Sequence, residues 1–228
     1  MLSYYGSKWS SARKYPAPKH DTIIEPFAGG AGYSQNYPDR YVLLTDLYEP
    51  LIGAWQFLID ASSEEILSLP LMSADDLVDD LDISQKAKWL IGFSLAKANA
   101  SPRKSLSAWA REYPDNIGFW GERCRERLAK NTIKTDHWSA TVDDYRNIPN
   151  IEATWFIDPP YKDMGKHYPK GSDQIDYEDL ADWCRSRRGQ VIVCENAGAD
   201  WMDFIPLYDL KGASNRTRKE MIWYKDGN

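Results

Sequence analysis

The sequence predicts an α/β domain built on a doubly wound sheet of seven strands, with a helical insertion. Short apolar runs alternate with longer polar segments, which is the pattern of strands and helices in such sheets. Two of these runs end in an acidic residue and one in a glycine-rich turn, as strands do where an α/β sheet meets its ligand. The 228 residues can bury a substantial core, so we expect a single domain over residues 1–228.

The first predicted strand, residues 22–25, leads into the glycine-rich turn Pro26-Phe27-Ala28-Gly29-Gly30-Ala31-Gly32. Because glycine has no Cβ, a ligand can approach this backbone closely, and the amides of a following helix could receive a carboxylate. The glycine spacing differs from the dinucleotide fingerprint, and such a turn alone is weak evidence for a cofactor.

The second predicted strand, residues 41–45, ends in Asp46. An acid at this distance from a glycine turn, one strand-helix-strand unit along the chain, can hold the two hydroxyls of a ribose. The alternative is that Asp46 caps the helix predicted to begin near Tyr48.

Residues 60–131 are predicted to form a helical insertion on the sheet and not a separate domain. Helical spacing of apolar residues is clearest in residues 85–98 and 116–130, and the third strand is predicted at residues 132–135.

The fourth predicted strand, residues 154–157, is a buried apolar run followed by Asp158-Pro159-Pro160-Tyr161. This tetrapeptide suits methyl transfer to an exocyclic amine, because the Asp158 carboxylate and the Pro159 carbonyl can each accept one amino hydrogen. The prolines fix φ and offer no competing N–H, while Tyr161 can stack on the base. The carboxylate also stabilises the positive charge that develops on the nitrogen, and no metal is needed. The alternative is a turn that merely ends the strand.

A polar stretch follows the tetrapeptide, over residues 162–172, before a helix predicted to begin near Tyr177. This stretch could be a lid that closes over the site, in which Lys162 and Lys166 would bind the phosphates around an extruded base. The alternative is that it is an ordinary connecting loop. The remaining strands are predicted at residues 190–194, 205–210 and 220–224.

These motifs, in this order, resemble those of the Dam-type DNA adenine methyltransferases that use S-adenosylmethionine. The likeness extends from Tyr4-Tyr5-Gly6-Ser7-Lys8, similar to the family's opening cofactor segment, to Lys219-Glu220-Met221-Ile222-Trp223, similar to its closing strand. Between them lie the glycine turn, Asp46, Asp144-Tyr145 and the tetrapeptide. The acid is doubled at Asp143-Asp144, and the position of the following aromatic favours Asp144 as the ligand of the donor's adenine.

The resemblance implies a Rossmann-like, class I methyltransferase sheet and a reaction on the exocyclic amine of a flipped adenine in double-stranded DNA. It also implies that the insertion, residues 60–131, is the candidate target-recognition region. The residues it implies for S-adenosylmethionine are Tyr5, Lys8, Glu25, Phe27, Gly29, Gly30, Gly32, Asp46, Asp144 and Tyr145. Three alternatives stay open: a guanine amine in ribosomal RNA, a cytosine amine in DNA, and a catalytically silent DNA-binding module. A compact modifying enzyme of this kind suits a bacteriophage or prophage.

The net charge of −6 argues against a chain that coats nucleic acid nonspecifically. Basic residues are concentrated locally, and within the insertion Arg103, Lys104 and Arg111 are the candidate DNA contacts, together with Lys162 and Lys166. The three cysteines form neither a disulfide framework nor a zinc set. With no leader and no apolar window of membrane length, we expect a cytoplasmic protein without an obligate protein partner.

Overall fold

The computed structural model describes residues 2, 4–96, 99–112, 119–132, 135–211 and 217–227. Within them the chain forms a mixed α/β fold around one seven-stranded, mostly parallel sheet, consistent with a Rossmann-like fold. The strands are β1 (Thr22–Glu25), β2 (Tyr41–Asp46), β3 (Trp138–Val142), β4 (Ala153–Ile157), β5 (Gly189–Asn196), β6 (Ile205–Lys211) and β7 (Thr217–Lys225). Their order is β3-β2-β1-β4-β5-β7-β6, and β7 runs antiparallel to both of its neighbours.

The described α-helices cover both faces of this sheet. They are α1 (Glu49–Asp60), α2 (Ser63–Ser68), α3 (Gln85–Ser94), α4 (Ala108–Glu112), α5 (Glu122–Thr132) and α6 (Tyr177–Ser186). Successive strand residues point to opposite faces, so Ile23 packs in the core formed with α1 and α3, whereas Ile24 packs in the core formed with α6. None of the described helices is long and apolar enough to cross a membrane.

Six of the seven predicted strands are confirmed within three residues at each end. The third prediction is wrong. Thr132 is the last residue of α5, Thr135 lies in a turn, and the strand that pairs with β2 begins only at Trp138. β3 lies at the edge of the sheet and is largely exposed, so its residues lack the apolar pattern of a buried strand.

The α-helix expected directly after the glycine turn is also absent from the described residues. One 3-10 turn, Ser34–Asn36, connects the glycine turn to β2, and it ends at Tyr37 with φ −131° and ψ 62°. Pro38 follows, and proline disfavours helical conformation in the residue before it. A helix N-terminus therefore contributes nothing to this part of the site.

The predicted insertion holds four described helices, α2 to α5, between β2 and β3. The helix expected at residues 85–98 is α3, which begins as predicted and is helical to Ser94; residues 97 and 98 lie outside the described part of the chain. The helix expected at residues 116–130 corresponds to α5, which begins at Glu122; residues 116–118 also lie outside the described part. The helix near Tyr48 and the one near Tyr177 are α1 and α6.

Candidate active site

A cavity of about 590 Å³ opens at the carboxyl ends of β1, β2, β4 and β5, where ligands bind in open α/β sheets. The N-terminal segment and the loop after β4 complete its walls. Every residue predicted for catalysis or for the cofactor lines it: Tyr5, Lys8, Glu25, Phe27, Gly29, Gly30, Gly32, Asp46, Asp144, Tyr145, Asp158, Pro159, Pro160 and Tyr161.

The glycine turn after β1 is held by hydrogen bonds to its carbonyl oxygens. Gln35 donates its side-chain amide to Gly30 at 2.6 Å, and the Trp55 indole donates to Gly29 at 3.0 Å. Gly29 has φ +46°, which favours glycine. A Cβ on Gly32 would lie 2.6 Å from the backbone nitrogen of Lys8, so the turn also lets the N-terminal segment pass close by.

Asp46 ends β2 within reach of the same turn. Burial raises the pKa of its carboxyl to about 6, although backbone N–H groups of Tyr48, Gly29 and Leu47 oppose the shift. Its Oδ1 accepts the Tyr48 N–H at 2.9 Å. The cap residue of α1 is Tyr48 itself, and α1 has no side-chain cap, so Asp46 does not act as the N-cap of this helix.

Asp144 and Tyr145 lie after β3 on the far wall of the cavity. Asp144 caps the 3-10 turn Tyr145–Asn147 and pairs with both Nε and Nη2 of Arg146, at 2.8 and 2.9 Å. These contacts with Arg146 hold the pKa of Asp144 below its usual range. The ring of Tyr145 lies 5.5 Å from that of Phe27, and its hydroxyl donates to Asp179. The two rings form an apolar wall suited to a planar group.

The tetrapeptide Asp158-Pro159-Pro160-Tyr161 begins directly at the end of β4 and is anchored from two sides. The Tyr177 hydroxyl, at the start of α6, donates to the Pro160 carbonyl, and Gly165 packs so tightly that a Cβ there would lie 2.6 Å from the Pro160 Cβ. Among the described residues, no hydrogen bond ends on the Pro159 carbonyl. That acceptor remains to serve a ligand, whereas Oδ1 of the neighbouring Asp158 carboxylate is already paired with Lys8 at 3.0 Å.

Lys8 joins Asp158 to a second carboxylate, Glu220. Its Nζ lies 3.0 Å from Asp158 Oδ1, 3.7 Å from Glu220 Oε1 and 4.8 Å from the centre of the Tyr161 ring. Burial alone would lower the pKa of Lys8, but the charges of Asp158 and Glu220 raise it above its ordinary value. The lysine is thus held as an ammonium.

Glu220 also accepts hydroxyl hydrogens from Tyr161 and, at 2.7 Å, from Tyr15. Its side chain is 1 % exposed. It reaches the site because β7 is antiparallel, which places Glu220 opposite Asn196 at the carboxyl end of β5. Burial raises the pKa of Glu220, and Lys8 opposes that shift.

Sequence reasoning assigned no role to several residues that shape this site. Glu220 belonged to the closing strand of the resemblance, but nothing in the sequence showed which strand end faces the cavity. Glu195 is fully buried at the end of β5 and accepts the Lys162 N–H at 2.8 Å, which ties down the chain after Tyr161. Tyr4 and Tyr168 meet with ring centres 6.1 Å apart, where the N-terminal segment contacts the loop after β4. Glu195 directly follows the strand predicted at residues 190–194, and that position was its signal in the sequence.

The predicted DNA contacts are exposed and lie outside the cavity lining: Arg103, Lys104, Arg111, Lys162 and Lys166. Lys104 pairs with Asp79 at 2.6 Å and Lys162 with Asp200 at 2.7 Å. Lys104 therefore adjoins the acidic segment around Asp79, which also holds Asp75, Asp76, Asp80 and Asp82, whereas Lys162 and Lys166 are on the loop beside the tetrapeptide.

All three cysteines, Cys124, Cys184 and Cys194, are buried and free. In the described part of the chain, no group of three or more His, Cys, Asp or Glu side chains is arranged to hold a metal ion. Comparison with protein-family models and with curated proteins finds no match to this chain.

Proposed function

We propose that the protein transfers a methyl group from S-adenosylmethionine to the exocyclic amine of adenine in DNA. The observation that carries the proposal is the pair of adjacent acceptors at the end of β4, the Asp158 carboxylate, of which Oδ1 pairs with Lys8, and the Pro159 carbonyl. They share one cavity with the glycine turn and Asp46. An amine that donates its two hydrogens in hydrogen bonds to two placed acceptors, beside a pocket for a methyl donor, is the arrangement that amine methylation requires.

The strand order supports this class of enzyme. The order β3-β2-β1-β4-β5-β7-β6, with β7 antiparallel, is the pattern of class I methyltransferases. The order alone is fold-level analogy, because one fold serves many functions. The side chains at the strand ends therefore carry the argument.

The donor half of the cavity fits S-adenosylmethionine by its chemistry. Asp46, partly buried beside Gly29, would accept from the ribose hydroxyls, and the wall formed by the rings of Phe27 and Tyr145 would pack against one face of the adenine. Lys8, with Tyr5 nearby, would hold the methionine carboxylate. When bound, this donor supplies a methyl group on a positively charged sulfur, which keeps the electron pair of the broken C–S bond.

The acceptor half is formed by the tetrapeptide. Asp158 and the Pro159 carbonyl accept the two amino hydrogens, which directs the nitrogen lone pair at the methyl group. Tyr161 stacks on the base, with its hydroxyl fixed by Glu220. As the C–N bond forms, the nitrogen becomes positive and then loses a proton to Asp158 or to water. The base must leave the duplex to reach this depth, at a cost of a few kcal/mol.

The experiment incubates the purified protein with isotope-labelled S-adenosylmethionine and duplex DNA, followed by digestion and identification of the methylated nucleoside. We expect label in methyladenine from DNA and a loss of at least about 100-fold in the Asp158→Ala variant. Because Asp46 and the glycine turn are untouched, the variant should still bind S-adenosylhomocysteine in calorimetry.

A parallel incubation with RNA separates the alternatives. Label in RNA or in cytosine would contradict adenine as the target, and donor binding without any transfer would identify a silent module. If Asp158→Ala kept most of its turnover, the role given to this carboxylate would be wrong.

A further inference from the structure

The buried network around Lys8 contains more negative than positive charges. One ammonium lies between two carboxylates, at 3.0 Å from Asp158 and 3.7 Å from Glu220. The other groups that touch it, the hydroxyls of Tyr15 and Tyr161, are neutral donors to Glu220. Two hydroxyl donors and the ammonium of Lys8 thus face Glu220, which is an environment that stabilises a carboxylate.

This arrangement raises a difficulty for Asp158 on its own. A lysine at 3.0 Å would neutralise the carboxylate that has to attract the positive charge of the reaction. The site would then have no net charge where the sulfonium and the amine meet. Glu220 removes the difficulty, because it supplies Lys8 with a second counter-ion and leaves the cluster with one net negative charge.

We propose that Glu220 is a positioning residue that acts through Lys8, balancing its ammonium so that the charge of Asp158 stays available to the reacting centre. The inference rests on the proposed function, since it concerns a cationic donor and an amine at this site. The Glu220 side chain is 1 % exposed, so it acts through Lys8 and Tyr161. The hydroxyl that it accepts from Tyr161 fixes the ring on which the base would stack, so the same carboxylate sets the orientation of both groups.

The test compares two ligands that differ in charge at one atom. S-Adenosylmethionine has a positive sulfur and S-adenosylhomocysteine a neutral one, while their adenosine and carboxylate ends are the same. The ratio of their affinities, measured by calorimetry without any acceptor, therefore reports the net charge near the sulfur and cancels the contact of Lys8 with the carboxylate. It does not depend on turnover.

We expect the preference for the cationic ligand to fall about tenfold in Glu220→Gln, as for loss of one nearby charge in a medium of intermediate dielectric. The Lys8→Met variant should shift the ratio in the opposite direction. The double variant, Lys8→Met with Glu220→Gln, has the same net charge as the wild type and should recover a ratio close to it. A role of Glu220 in folding alone predicts no such recovery.

Tyr15→Phe is the matched control. It removes one hydroxyl from Glu220 but no charge, so its ratio should stay near that of the wild type. An unchanged ratio in Glu220→Gln, or in Lys8→Met should the first variant not fold, overturns the inference and leaves the proposed function standing. If the wild type binds neither ligand, the proposed function fails and the inference fails with it.

Discussion

Glu25 makes the stability of this protein depend on pH. It lies buried at the end of β1, 2 % exposed, and its Oε1 accepts the Ser34 N–H at 2.8 Å. Burial raises the pKa of Glu25 from 4.5 to about 8; the Ser34 contacts oppose the shift, and the charge of Asp158 adds to it. The unfolded chain therefore releases this proton at a lower pH than the folded protein does.

The direction of the effect follows from that difference. Below pH 4.5 the folded protein and the unfolded chain both hold the Glu25 proton, and the folded state is not destabilised by this group. Between 4.5 and about 8 only the folded state holds it, so the free energy of unfolding falls as pH rises, by up to about 1.4 kcal/mol per unit. Above that range the loss is complete.

We predict that Glu25→Gln, which keeps the shape and an acceptor oxygen, becomes more stable relative to the wild type as pH rises. The difference should be smallest near pH 4.5 and reach roughly 1 to 3 kcal/mol at pH 7. Urea unfolding of both proteins across this range measures it. Asp46 titrates in the same direction but is present in both proteins, so it cancels. Parallel stability curves would show that Glu25 is ionised throughout.

The glycine turn and the N-terminal segment fit together at Gly32. A Cβ there meets backbone atoms of Lys8 and Trp9, whereas a Cβ on Gly30 meets the Ser7 hydroxyl oxygen at 2.9 Å. A backbone cannot move aside without displacing Lys8, but a serine side chain can rotate. We predict that Gly32→Ala costs about 1 to 3 kcal/mol and weakens S-adenosylhomocysteine binding, and that Gly30→Ala has the smaller effect on both.

Thermal unfolding and calorimetry on the two variants measure these effects, and each variant serves as the control for the other. Equal losses would mean that the turn tolerates no Cβ at all. In that case the close passage of the N-terminal segment would not be the reason for Gly32.

The same elements show how far sequence reasoning reaches. Buried strands such as β1 and β4 could be predicted almost to the residue, because most side chains between two packed faces are apolar. β3 could not, since a mostly exposed edge strand carries no such pattern, while the β-branched residues just before it belong partly to the end of α5. A 3-10 turn replaces the helix that was expected after the glycine turn, and Pro38 was the signal for this in the sequence.

The residues of the candidate site also fall into those that the sequence could predict and those that it could not. Residues at the ends of parallel strands, such as Asp46 and Asp158, could be predicted because the carboxyl ends of these strands meet at one edge. The role of Glu220 could not, because it depends on the reversed direction of β7 and on a register that pairs it with Asn196. Tertiary pairing of this kind leaves no local pattern in the sequence.

The whole molecule carries a net charge of −6, so any duplex must be held by a local group of cations. Two surfaces were predicted for it. On the insertion, Lys104 is already paired with Asp79. On the loop after the tetrapeptide, Lys166 is exposed and forms no ion pair with the residues described around it. A lysine already balanced by a carboxylate releases little counter-ion from a phosphate, so Lys166 is a stronger candidate than Lys104 or Lys162, which pairs with Asp200.

Salt dependence can distinguish the two surfaces, because each phosphate neutralised by a lysine adds about one to the slope of log K against log salt. We predict that Lys166→Ala lowers this slope by about one and weakens binding to duplexes of every sequence alike. Lys104→Ala should leave the slope nearly unchanged. Fluorescence anisotropy with labelled duplexes between 50 and 200 mM salt measures both. Since both side chains are exposed, thermal unfolding should not differ between the variants. The reverse result would place the duplex across the insertion, with the acidic segment around Asp79 released from Lys104 on binding.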